Sequence, residues 1–391
     1  MLDDAYRGLK VLDLAQGFAG PYCAAILAQA GAEVVKVEPP AGDWSRLMGR
    51  ASGQHTAMSL ASNTGKSGLA VDARRPEGRA LLLRLASAVD VVTQSFRPGV
   101  AERLGIGFDA IRACNPSVLY VSVSGFGAEG PYRDRPATDT ILQAMSGMMV
   151  MNRSSTGVPQ RIGMLAIDVA AGVYAAQAVG VALFKRARTG EGGHINISLL
   201  EVAAAFQAMP ILDHAMFGGQ PRTALTVPSG TFATADGAIN LVSVRDDMFD
   251  NLARAVGCSH WVEDARFRTN ADRALHADEI NGQLERIIRE QTTQFWTSRF
   301  DEFDVLCAPV NDYAGLLEDP QVAHAEIFEA TEITGFDPLP FPRLPGMARA
   351  PRPCRPPAIG EHSRGVLMRF GLSPAEIDEL VAAGIVIQAE R

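Results

Sequence analysis

One carboxylate stands out by its surroundings. Asp168 lies in Arg161-Ile-Gly-Met-Leu-Ala-Ile-Asp-Val-Ala-Ala-Gly172, between a polar Gly/Ser/Thr/Pro stretch (152–160) and a long apolar helix pattern. Near a helix N-terminus, the dipole and the unpaired N–H groups favour the ionised form of a carboxylate. The preceding loop leaves it open to a substrate. Such a group is a candidate catalytic residue, although most aspartates at helix starts only cap. Basic residues that could meet an anion lie earlier. Asn63-Thr-Gly-Lys66-Ser67 has half of a P-loop, but residue 60, where the first glycine belongs, is Leu. Lys66 is left with a single phosphate or a solvated turn. Ser95-Phe-Arg97-Pro-Gly99 follows a strand end, where Arg97 can project into the crevice that binds ligands in open α/β sheets. Ser124-Gly-Phe-Gly-Ala-Glu-Gly-Pro-Tyr132 follows the next strand, and its glycines let backbone approach a ligand closely.

These groups need elements to position them. Gly8–Ala15 reads as a strand, Tyr22–Ala30 as a helix and Glu33–Glu38 as a second strand, an order that implies parallel pairing with a right-handed crossover. A helix near 76–88 and strands at 89–93 and 118–123 continue a Rossmann-like α/β unit. The first turn is Gln16-Gly-Phe-Ala-Gly-Pro21 rather than GxGxxG, so NAD binding has no support. The uncharged run Val169–Phe184 is 16 residues long, short for a membrane span, and reads as a buried helix. Leu199–Phe217 reads as a helix that Gly218-Gly219-Gln-Pro221 breaks. Residues 222–236 read as extended and turn-rich, and helical patterns dominate 246–257, 276–289 and 292–301. Eight prolines in 338–357 predict a long surface crossing. An amphipathic stretch, Ser373–Gly384, closes the chain.

Composition narrows the partners. The 391 residues exceed one typical core, so two domains are expected. A net charge of −8 disfavours nucleic acid. Residues 1–139 carry a net +1 and the remainder −9, so an anionic ligand would prefer the first third. Five scattered cysteines without CxxC spacing, and seven histidines without HExxH, argue against a zinc site or a disulfide framework. Met1-Leu-Asp-Asp lacks a signal-peptide layout, and a cytoplasmic protein without membrane contact is expected. No GxSxG elbow supports a hydrolase triad.

Blocks spread along the chain carry a resemblance. They are Gly8-Leu-Lys-Val-Leu-Asp13, Ala19-Gly-Pro21, Gly31-Ala-Glu-Val-Val-Lys-Val-Glu-Pro39, Gly42-Asp43, Asn63-Thr-Gly-Lys66, Phe96-Arg-Pro-Gly99, Asn115-Pro116, Ser124-Gly-Phe-Gly127, Gly130-Pro131, Gln143-Ala-Met-Ser-Gly147, Arg188-Thr-Gly-Glu-Gly192, Ile197-Ser-Leu-Leu-Glu201, Asp236-Gly237 and Gly360-Glu-His362. With them the chain resembles the family III CoA transferases, of the formyl-CoA and carnitine-CoA transferase type. The resemblance implies an α/β, two-domain fold with a Rossmann-like large domain, a smaller α+β domain and an intertwined homodimer. It divides the chain into 1–205 (large domain), 206–223 (linker), 224–325 (small domain), 326–345 (linker) and 346–391 (return to the large domain).

It also implies roles. Asp168 would be the nucleophile, acylated and then carried as an aspartyl-CoA thioester. CoA would enter as acyl-CoA substrate, without metal or ATP, because thioester is exchanged for thioester. Arg74, Arg97 and Arg103, with Lys66, would recognise the CoA phosphates. Gln16 and Thr138 would line the substrate pocket. The family's glycine lid points to Val227-Pro-Ser-Gly230, while Gly218 and Gly219 offer a lid and oxyanion donors or a plain helix C-cap. The same fold hosts α-methylacyl-CoA racemases, which carry His where Thr138 stands. Thr cannot relay a proton near neutral pH, so racemase is the second reading and a non-catalytic CoA-binding protein the third. The racemases' supporting Glu falls near Asp246, which does not discriminate. Arg46, Arg50, Arg133 and Arg161 are candidates to meet a second carboxylate, which would suit succinyl-CoA as donor and a dicarboxylate acceptor.

Overall fold

The computed structural model describes residues 2, 4–154, 156–219, 225–347 and 355–389. The chain forms two compact units, Met1–Ile211 with Glu326–Arg391 and Leu212–Ala325.

The first unit is built on a seven-stranded sheet. Six strands are parallel: β1 (Lys10–Asp13), β2 (Glu33–Glu38), β3 (Ser67–Val71), β4 (Val91–Gln94), β5 (Leu119–Ser124) and β6 (Gly193–Ser198). They lie in the order β3-β2-β1-β4-β5-β6, and the short Val386–Ile387 strand adds antiparallel to the β3 edge. The chain winds one way from β1 to β3 and the other way from β4 to β6. The order therefore reverses between β1 and β4, the crevice where doubly wound sheets take ligands.

Side chains alternate across each strand, and both faces are covered. Val11, Val34, Val91 and Val121 pack on one side against α1 (Ala19–Gln29) and the long α4 (Ala166–Thr189). Leu12, Val35, Val92 and Tyr120 pack on the other against α2 (Pro76–Ala86) and the C-terminal helix Pro374–Ala382, through Leu82, Leu85 and Ile377. Gly172 permits close approach of α4 to α1: a Cβ there would lie 2.8 Å from Tyr22. The buried-helix expectation holds for one face of α4 only. Ile167, Ala171, Ala175 and Val179 are buried, whereas Val173, Val181 and Phe184 are exposed. By length and composition α4 is apolar enough to cross a membrane.

Several expectations are corrected. Strand β3 escaped the sequence pattern because its SGLAV run is short and has no alternation. The 206–223 linker is largely helical: Leu199–Phe206 and Ala208–Met216 are two helices that meet at Gln207. The 326–345 linker holds an antiparallel hairpin, Phe328–Thr331 with Leu339–Pro342, inside the first unit. Phe341 and Ile333 pack there on Leu60, so the proline-rich stretch begins as a strand; residues 348–354 lie outside those described.

The second unit pairs a three-stranded antiparallel sheet (Ser229–Ala233, Ala238–Val242, Cys307–Pro309) with helices Asp246–Ala255, Ala277–Ile288 and Thr293–Glu302. Its core holds Trp261, Phe249, Phe267 and Phe300. Arg273 is fully buried, donates to the Val227 and Phe267 carbonyls and to Asp246, and lies over the Phe249 ring. Asp246 is thus held by an arginine.

Candidate active site

The sheet's switch point opens into a cavity of about 410 Å³. Gln16 comes from the end of β1, Ser95 from the end of β4 and Gly125 from the end of β5, with Thr138 just before and Asp139 at the start of the helix α3 (Asp139–Met145) and Asp168 from α4. A smaller cavity of about 160 Å³ lies beside it, lined in part by Val37, Arg74, Phe96 and Ile106. Gln16 lines both. Ser95 clamps its backbone, accepting from Gln16 N–H at 2.8 Å and donating to the Gln16 carbonyl at 2.8 Å. A ligand long enough to use both spaces would pass Gln16.

Asp168 occupies the first turn of α4, but the helix N-terminus is not capped by it. Asp139, buried at the start of α3, accepts from the N–H groups of Ile167 (2.7 Å) and Asp168 (3.0 Å). Its other oxygen accepts from Gln143 Nε2 at 2.5 Å. Gln143 donates to the Met164 carbonyl and accepts from Ile162 N–H, which ties the loop before α4 to α3. The donors expected to favour ionised Asp168 therefore serve Asp139. Burial, and then the Asp139 charge, push the Asp168 carboxyl up to about 7. The expectation that the site favours ionised Asp168 is corrected: near neutral pH the carboxylate and the acid coexist.

Lys66 is corrected as well. Its ammonium is buried and uses all three donors, on Asp13 (2.7 Å), the Pro21 carbonyl (2.7 Å) and Asn63 (3.1 Å). These partners leave no donor for a phosphate, and it is no solvated lysine; burial lowers its pKa to about 8. Asp13 also accepts from Thr93 and from Ala15 N–H. Alongside, Lys36 binds Asp43 at 2.8 Å with both side chains buried, and also donates to the Ala15 carbonyl. Asp43 accepts from Gly17 N–H and Ser45 N–H. Gly17 has φ of +83°, and a Cβ there would strike the Trp44 indole at 2.3 Å. The buried ion pairs thus fix the turn that presents Gln16 and Trp44 to the cavity.

Of the other basic residues, Arg74 lines the smaller cavity and forms a two-point pair with Asp72. Arg97 and Arg103 are exposed at the turn after β4. Arg103 Nη1 and Arg133 Nη2 lie 3.2 and 3.7 Å from where a Gly99 Cβ would stand, so two guanidiniums converge there. Arg46 is buried and bidentate on Glu38, with further bonds to the Gln54 and Pro357 carbonyls. Arg50 and Arg161 are exposed. None of Arg46, Arg50, Arg133 and Arg161 lines the cavity beside Asp168.

Gly218 and Gly219 form the turn that ends helix Ala208–Met216, with Gly219 N–H on the His214 carbonyl and both glycines at positive φ. Gly230 stands in a strand opposite Leu241 rather than in a loop. Among the described residues no His/Cys/Asp/Glu cluster could hold a metal. Sequence reasoning missed the roles of Asp139, Gln143, Asp43 and Trp44. The signal for the first pair was present, since Asp139 and Gln143 are four apart at a helix start.

Known proteins place this geometry. The CoA-transferase family III profile matches residues 6–363. The chain is similar to the succinate–glutarate CoA-transferase of Agrobacterium fabrum, at 33% identity over 92% of this chain and 94% of that protein. It is similar to the human succinyl-CoA:glutarate CoA-transferase, at 29% identity over 98% of this chain and 90% of the other. A crystal structure of a CAIB/BAIF family protein from Brucella suis superposes with a TM-score of 0.84 at 29% identity, covering 93% of this chain and 98% of that one. The chain is a CoA transferase of the EC 2.8.3 type and belongs to CoA-transferase family III.

Proposed function

We propose that this enzyme moves CoA from an acyl-CoA donor, with succinyl-CoA the leading candidate, to a carboxylic acid through a thioester on Asp168. The observation that carries the reading is a carboxyl at the switch-point cavity whose pKa of about 7 supplies both a reactive carboxylate and a proton-holding form near neutrality. A carboxylate less stabilised than an ordinary one is the stronger nucleophile once ionised. Relatives named for succinate, succinyl-CoA and glutarate support the donor.

The steps balance without a cofactor. An Asp168 oxygen attacks the thioester carbon and CoA leaves as thiolate, giving a mixed anhydride. The thiolate attacks the Asp168 carbonyl carbon and expels the donor carboxylate, leaving an aspartyl-CoA thioester. The acceptor carboxylate attacks that carbon, releases CoA thiolate and forms a second anhydride. The thiolate then attacks the acceptor's acyl carbon and returns Asp168 as carboxylate. Gln16 and Thr138 are among the side-chain donors on the lining that could serve the oxyanions. Arg74, Arg97 and Arg103 are assigned to the CoA phosphates, with Arg133 beside Arg103.

The raised Asp168 carboxyl also suits proton transfer, which keeps a racemase as the second reading. Thr138 leaves that chemistry without a base on one face of the α-carbon. An intertwined homodimer is proposed on the exposed apolar side chains of the long helix and its neighbours, Val173, Val181, Phe184, Phe206 and Met209; a cytoplasmic location is proposed on cysteine usage. The test is hydroxylamine trapping after incubation with succinyl-CoA, read by mass spectrometry on the peptide containing Asp168. A hydroxamate there supports transfer. No adduct would overturn the aspartyl-CoA route, and α-deuterium uptake from heavy water into a 2-methylacyl-CoA would give Asp168 a role in proton transfer.

A further inference from the structure

Apart from Asp139 and Asp168, every described residue lining the cavity is uncharged, and no lysine, arginine or histidine is among them. The four arginines offered for a second substrate carboxylate are bound or placed elsewhere. Large apolar side chains line the cavity, Phe18, Trp44, Met48, Met58, Leu165 and Leu199, together with the uncharged polar Gln16, Ser95, Ser124, Thr138 and Thr140. Trp44 is held in place, yet 47% exposed. Its ring rests on Gly17, and Asp43, itself paired to Lys36, binds the N–H groups of Gly17 and Ser45 on either side. A fixed aromatic plane with two adaptable methionines near it is the lining of a site for an apolar group.

We propose that the acceptor is a carboxylic acid with an uncharged apolar tail, aliphatic or aromatic, selected by Trp44, Met48 and Met58. This rests on the CoA-transfer reading. The donor is carried into the site by its large CoA moiety and tolerates a poorer acyl fit. The free acid has only its tail with which to bind, so the cavity lining discriminates most among acceptors. A tail ending in a second carboxylate would bring a third acidic group beside Asp139 and Asp168 with no cation on the lining to offset it. Each methylene that enters the cavity should raise kcat/KM by about fourfold.

The experiment uses the full chain with succinyl-CoA as donor, and butyryl-CoA in parallel. Acceptors are acetate, butyrate, pentanoate, hexanoate and phenylacetate against succinate and glutarate. We expect kcat/KM to climb along the aliphatic series and pentanoate to exceed glutarate, its charged counterpart of equal length, by at least about tenfold. Trp44→Ala should raise KM for hexanoate and phenylacetate by a larger factor than for acetate, and Trp44→Phe should restore most of the loss. A preference for glutarate over pentanoate, or equal losses for all acceptors in Trp44→Ala, would overturn the proposal. Trapping of the Asp168 adduct is scored separately without any acceptor. If the adduct forms and the acceptor order is reversed, only the tail assignment falls. If no acyl-CoA yields an adduct, the transfer reading falls and this inference with it.

Discussion

Two sets of buried carboxylates lie in the same unit and are treated in opposite ways. Under the turn after β1, each acid has a cation: Asp13 has Lys66, Asp43 has Lys36 and Glu38 has Arg46. Beside the cavity, Asp139 and Asp168 face each other with hydrogen-bond donors on one of them and no cation among the described residues of the lining. The first set is lowered or held by its partners, as the depressed Asp13 and Asp43 show. The second leaves Asp168 pushed up to about 7. Paired charge positions backbone; unpaired charge is available for chemistry.

The largest effect should come from removing the unpaired acid. Asp168→Asn should drop CoA transfer to background, checked in protein whose mass excludes deamidation. The same variant reports on stability. Asp168 holds its proton more tightly folded than unfolded, so it costs stability as pH rises from about 4, the unfolded value, to about 7. Asp168→Asn should therefore melt higher than the native chain at pH 8, with the gap closing towards pH 4. An equal melting difference at both pH values would show that Asp168 is not so perturbed.

Breaking a paired acid should act on folding first. Lys66→Met leaves Asp13 buried without its nearest cation, a loss of about 3–5 kcal/mol in denaturant unfolding. Whatever folded protein remains should keep its KM for acyl-CoA, because Lys66 is spent on internal partners. A large KM increase at full stability would return Lys66 to the ligand.

Arg97→Ala and Arg103→Ala should each raise KM for acyl-CoA by about tenfold, with kcat little changed. Unchanged KM in both would remove these residues from the phosphate site. The smallest expected effect sharpens the contrast most. Asp139→Asn keeps an oxygen for the N–H groups of Ile167 and Asp168 but removes the like charge. Activity rises with pH as Asp168 ionises, so the acid limb of kcat/KM should move to lower pH. An unmoved limb would mean that burial alone sets the Asp168 pKa.

Much of this could be read before any coordinates. The βαβ order of the first strands, the unusual setting of Asp168 and the Arg97 turn follow from local pattern and from blocks of residues. Local pattern failed where the deciding partner was distant. Strand β3 has too short a run to announce itself, and its parallel neighbour β2 is what makes it a strand. Gly230 looked like a loop residue because its turn-rich neighbourhood hides the pairing with Leu241.

The sequence by itself determined the order of elements, the family and the residue around which the chemistry turns, because each is written in neighbours or in the spacing within a block of residues. It could not say which acids keep a counter-ion. Lys66 and Asp13 are 53 residues apart, and Asp139 sits 29 before the Asp168 N–H it binds. Only the winding of the sheet brings each pair together. Since charge interactions in a buried site depend on separation and desolvation rather than on residue type, tertiary structure alone made Lys66 a structural cation and Asp168 a carboxyl poised near neutrality.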